Sequence, residues 1–150
     1  PVVDMEGKRS SLLSELNQGK PVMVNFIFTS CTTICPVLSS TFSQVQAALG
    51  PEAEGVRMVS ISIDPEYDTP SRLKSYAQSY RAGEQWQFLT GNLVDMVAVQ
   101  KAFGVYRGSK MNHEPTILLR TAEDAPWVRL DGLASASDVT REYRSLLAAR

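Results

Sequence analysis

The chain has 150 residues, with 15 Lys and Arg against 16 Asp and Glu and a formal net charge of −1. That length buries the core of one domain without a metal or a staple, and the balanced charge, with no long basic run, argues against nucleic acid and anionic membrane surfaces as partners. A single domain over residues 1–150 is expected from the length; no stretch reaches the roughly 20 apolar residues of a spanning helix, and because the sequence opens at Pro1 without a Met, a signal peptide or membrane anchor lost upstream is expected.

Residues 22–28 (VMVNFIF) form an apolar run rich in β-formers behind Gly19, Lys20 and Pro21, the pattern of a central buried strand. A helix over about residues 36–49 follows, because Leu38, Phe42, Val45 and Leu49 recur at helical spacing. The two cysteines, Cys31 and Cys35, fall in the strand-to-helix loop. After Gly50, Pro51 and Gly55, residues 56–63 (VRMVSISI) alternate as a second strand. Thr69 is the expected N-cap of the next helix, with Pro70 at its first position and Leu73, Tyr76, Ala77 and Tyr80 on one face. Residues 86–89 form a short strand, and Asn92 with Asp95 opens a helix that runs to about Phe103 and stops at Gly104. Residues 116–119 and 128–130 read as two strands with a short polar link. Ser135 with Asp138 caps a last helix carrying Val139, Tyr143, Leu146 and Leu147. The order β-α-β-α-β-α-β-β-α predicts an α/β fold, a sheet flanked by helices and ending in an antiparallel pair.

Cysteines four apart at a helix start share a face, with Cα atoms about 6 Å apart, a separation that serves a disulfide or two thiolates on one metal. Pro36 belongs in the first turn, so both sulfurs are expected near unpaired N–H groups, which favour the thiolate. The plain alternative is a structural disulfide, although so short a loop removes little chain entropy. His113, the only histidine, precedes strand 116–119 in M-N-H-E-P-T. A lone histidine is more often a surface or hydrogen-bonded group than a ligand. Two thiolates and an imidazole would nonetheless suit Cu(I), whereas structural zinc wants a fourth ligand. Met111 is a weak thioether candidate or a packing residue. The loop before strand 116–119 approaches the cysteines only if that strand runs antiparallel to strand 22–28 or a crossover carries it there.

From Val22 onward the chain resembles the Sco/SenC family, copper-binding thioredoxin-like proteins that help assemble the copper centre of respiratory cytochrome oxidase. The resemblance rests on V-N-F-I-F-T-S-C-T-T-I-C-P (24–36), S-I-D-P-E-Y-D-T-P (62–70), F-L-T-G (88–91) and F-G-V-Y (103–106), followed by a histidine before a strand. It implies a thioredoxin-like fold with a central mixed sheet, and Cys31, Cys35 and His113 as ligands to copper, as Cu(I) or Cu(II). It also implies a periplasmic or mitochondrial intermembrane-space setting with a membrane tether upstream, of which the bacterial periplasm is the one expected here. Asp64, Asp68 and Thr69 match the second motif; their expected work is structural, near the site but outside it. The chain departs from the family pattern in having only Thr32, Thr33 and Ile34 between the cysteines, and Asn112 and Glu114 beside the histidine. Pro115-Thr116 resembles the cis-proline corner of ordinary thioredoxins, which keeps a redox role open.

The leading expectation is a metallochaperone passing copper to an apo-cuproprotein such as an oxidase copper subunit. The second is a thiol-disulfide oxidoreductase that reduces a partner's copper-ligand cysteines, with Cys31 and Cys35 as its catalytic pair. Other copper carriers or thiol reductants are further expected partners. A peroxidase would need a hydroxyl residue three before its reactive cysteine, where Cys31 has Phe28, and Cys35, which has Thr32, lacks a suitable proline. A binding module with an inert disulfide is poorly served by cysteines at a helix start.

Overall fold

The computed structural model describes residues 2–16, 20–29, 35–105, 116–121, 126–131 and 135–149. In chain order the elements are β1 (Val2–Asp4), β2 (Arg9–Ser10), α1 (Leu12–Leu16), β3 (Val22–Ile27), α2 (Cys35–Leu49), a 3-10 turn (Gly50–Gly55), β4 (Arg57–Ser62), α3 (Pro70–Ser79), β5 (Trp86–Thr90), α4 (Leu93–Ala102), β6 (Thr116–Arg120), β7 (Val128–Asp131) and α5 (Ala136–Ala149). The strands form one sheet in the order β2-β1-β5-β4-β3-β6-β7. Its centre, β3 with β4 and β4 with β5, is parallel; β6, β7, β1 and β2 join antiparallel.

β3 is buried at all six positions because a strand lies on each side and apolar clusters cover both faces. On one face Phe42 and Val45 of α2, Leu73 of α3, and Val139 and Tyr143 of α5 pack with Met23, Ile27, Trp86 and Phe88. On the other, Leu16 of α1 and Met96 of α4 cover Val24, Phe26, Val59, Ile61 and Leu89. This mixed sheet between helices is the thioredoxin-like arrangement.

The capping signals act as expected. The side chain of Thr69 accepts from the Arg72 N–H at 3.3 Å, that of Asn92 from the Asp95 N–H at 2.8 Å, and that of Ser135 from the Asp138 N–H at 3.1 Å. Gly104 takes a φ of 71°, as a residue ending a helix in the left-handed region must.

The N-terminal β1–β2 hairpin and α1 are additions to the expected order. Strands of three and two residues carry no usable periodicity, and β1 exists because it extends the sheet along β5. The hairpin turn is built by Asp4, whose side chain accepts from the N–H groups of Glu6 and Lys8, both at 2.9 Å. An ion pair between Arg57 and Glu15 ties α1 to β4.

Phe42 is fully buried, with its ring edge-on to Trp86 at 5.8 Å between centroids, and so fastens the helix that begins at Cys35 to the sheet. Phe42→Ala is expected to lower unfolding free energy by about 3–5 kcal/mol in urea denaturation, the usual cost of an emptied core aromatic site. A loss below about 1 kcal/mol would show that α2 is held by other contacts.

Candidate functional site

The carboxyl ends of β3, β4 and β5 lie along one edge of the sheet, the usual site of function in such folds. β6 runs the other way: Asn25 of β3 faces Ile117, so β6 begins, at Thr116, beside the end of β3. The antiparallel direction that the sequence left open is therefore the one adopted. The end of β3 and the start of β6 therefore belong to the same edge.

Of the predicted ligands, Cys35 is the first residue of α2. Cys31, residues 32–34 and the stretch from Met111 to Pro115, including His113, Asn112 and Glu114, lie outside the described residues. α2 is laced to α3 and the turn after it: the hydroxyls of Ser39 and Tyr76 share a hydrogen bond of 2.7 Å, Ser43 donates to the Tyr80 carbonyl at 2.8 Å, and Gln46 donates to the Arg81 carbonyl at 2.8 Å.

At the other end of the loop stands Asp68, whose exposure is 0%. Its carboxylate accepts from the Thr29 N–H, at 3.2 Å to each oxygen, from the Thr29 hydroxyl, and from the Ser62 hydroxyl at 2.8 Å. Asp68 does structural work, as expected, but its reach to Thr29 was not foreseen. The available signal was a pair of hydroxyl residues, Thr29 two before Cys31 and Ser62 six before Asp68. Asp64 supplies the turn itself, its carbonyl accepting from the N–H groups of Tyr67 at 3.1 Å and Asp68 at 2.9 Å. Asp68 also lines a cavity of about 450 Å³ together with Arg9, Pro65, Thr90 and Asn92, among others.

The fold and this edge define a thioredoxin-like protein with one cysteine at the first residue of the helix that follows a central strand and a second four residues before it in the sequence. The model of the SCO1/SenC family matches residues 3–148, and the chain belongs to that family. It is 40% identical over 89 residues to the SCO1 protein homolog of Bacillus subtilis, covering 59% of this chain and 45% of the relative. The chain thus spans about half the length of the curated relatives it matches. Among solved structures, Bradyrhizobium japonicum ScoI with copper bound superposes with a TM-score of 0.79 at 25% identity, over 96% of this chain and 94% of that one. BsSco, a member of the Sco family of cytochrome c oxidase assembly proteins in which a disulfide switch has been identified, gives 0.79 at 28% identity, over 96% and 88%.

Burial pushes the Asp68 carboxyl above its ordinary value of 3.8, with Asp64 adding to the rise, while the bonds from Thr29 and Ser62 pull it down. A carboxyl raised in the folded state holds its proton there after the unfolded chain has released it, so stability falls as pH rises from 3.8 through the raised value. Urea unfolding of the wild type and Asp68→Asn at about pH 4 and about pH 7 isolates this effect, since any constant cost of the amide cancels in the comparison. The wild type should lose stability relative to Asp68→Asn on going to the higher pH; an unchanged or opposite difference would contradict the raised value.

Proposed function

We propose that this chain is a copper metallochaperone that holds copper through Cys31, Cys35 and His113 and delivers it to the copper centre of a respiratory cytochrome oxidase. The observation that carries the reading is the antiparallel pairing of β3 with β6. Cys31 is four residues past the end of β3 and His113 three residues before the start of β6. Neighbouring strands lie about 4.8 Å apart, and segments of four and three residues reach at most about 14 and 11 Å. Both segments therefore have the reach to meet at one edge. In a parallel arrangement the length of β6 would separate them.

The donor chemistry fits the cargo. Two thiolates and a neutral imidazole form a soft set that satisfies Cu(I) and leaves room for an incoming ligand, so that the metal passes to a partner by ligand exchange. Copper is bound in the Bradyrhizobium japonicum relative, and membership of the family joins that precedent to the cysteine motif. The compartment we assign is the periplasm, where dithiol and disulfide forms both have a role.

The disulfide switch of BsSco favours a second reading on the same two sulfurs. Here Cys31 and Cys35 reduce a partner's disulfide: one thiolate attacks to form a mixed disulfide, and the other displaces the reduced partner as their own disulfide closes. The two activities separate on His113, which copper needs and exchange does not.

Anaerobic titration of the reduced chain with Cu(I) against a chromogenic chelator should show one tight equivalent, weakened about tenfold or more by His113→Ala, the order seen when a metal site is damaged. Tight binding indifferent to that substitution would remove His113 from the site and leave a dithiol acting mainly by exchange. No binding would overturn the copper reading.

A further inference from the structure

Thr29 is the last described residue before Cys31, two positions away, so its Cα lies within about 7 Å of that of Cys31 whatever path the chain takes. The only side chain holding Thr29 among the described contacts comes from 39 residues further on: the Asp68 carboxylate, which takes both its N–H and its hydroxyl. This carboxylate is not needed to close its own turn, because the backbone bonds to the Asp64 carbonyl do that. It is also fully buried, and among the described residues no cation pairs with it. A buried carboxylate so placed is costly unless donors surround it. Thr29 and Ser62 are those donors, and Thr29 stands at the stem of the cysteine loop.

The same segment also governs the loop's other end. Asp68 is followed by the Thr69 cap and α3, and α3 presents Tyr76 to Ser39 of α2, while the turn after it presents the Tyr80 carbonyl to Ser43. Residues 68–80 therefore hold Thr29 before the loop and α2, which begins at Cys35, after it.

We infer that Asp68 is a positioning residue for the cysteine pair: through Thr29 it fixes the stem of the loop, and so sets how Cys31 stands relative to Cys35. It touches neither sulfur nor metal on this account. A set stem keeps the two thiolates in the arrangement that binds Cu(I), and it sets the balance between dithiol and disulfide, since ring closure depends on the same separation. The inference rests on the dithiol and copper reading given above.

The test compares wild type, Thr29→Val, Thr29→Ser and Asp68→Asn by three readouts: Cu(I) affinity by chelator competition, the dithiol–disulfide equilibrium constant, and thermal unfolding. In the equilibrium the protein dithiol gives two electrons and two protons to oxidised dithiothreitol, which becomes its dithiol. Thr29→Val removes the hydroxyl donor at almost constant shape, and Asp68→Asn removes the charge. Each should weaken Cu(I) binding about tenfold or more and move the equilibrium constant by a similar factor, the scale of supporting residues around metal ligands. Thr29→Ser, which keeps the hydroxyl, should restore both. If Thr29→Val and Asp68→Asn change thermal stability alone, the carboxylate merely holds the fold together and the inference is overturned. If the wild type binds no Cu(I), the copper reading fails, and the equilibrium constants still decide the role of Asp68. Should Asp68→Asn not fold, the contrast between Thr29→Val and Thr29→Ser decides it.

Discussion

The candidate site edge of this protein depends on the direction of one strand. β3, β4 and β5 run in parallel, as strands joined through helices do, and β6 then enters beside β3 from the opposite end. The reversal turns the end of β3 and the start of β6 into neighbours. It also sets β3 between two strands and under two layers of helix, so that the strand leading to the cysteines is among the most enclosed parts of the molecule. Loops on a rigid scaffold of this kind are where chemistry is placed, since the scaffold fixes their ends while leaving their middles accessible.

A second constraint works on the loop itself. Burying a carboxylate removes its hydration, and burial accordingly drives the Asp68 proton affinity up despite the hydrogen bonds it accepts. The fold accommodates this cost with Thr29 and Ser62, two donors from the ends of adjacent strands. The apolar packing of Phe42, Trp86 and Leu73 decides where α2 and α3 sit; the polar bonds of Asp68, Ser39 and Ser43 decide how the loop between β3 and α2 is held at its ends. Stability and site geometry are thus carried by different interactions along the same helices.

Much of this was legible in the residues. The burial of 22–27, the Thr69, Asn92 and Ser135 caps and the antiparallel final pair follow from local chemistry, which acts within a few positions. The direction of β6 was not legible, because nothing in T-I-L-L-R distinguishes a parallel neighbour from an antiparallel one; pairing is decided by the connection and by packing. β1 escaped for a related reason, being ordered by the edge of β5 rather than by its own three residues. Asp68 could be marked as structural from its motif, yet its bond to Thr29 joins strand ends that sequence alone does not bring together. The ligand set came from the family resemblance, and Cys31 and His113 lie outside the described residues.

The central claim is that one edge of the sheet gathers two thiolates and one imidazole around copper. X-ray absorption at the copper edge of the Cu(I)-loaded chain examines it most directly, by counting the sulfur and nitrogen neighbours of the metal. The account predicts two sulfurs and one nitrogen, with the nitrogen contribution lost in His113→Ala. A first shell of sulfur alone in the wild type, or a nitrogen that survives the substitution, would contradict it.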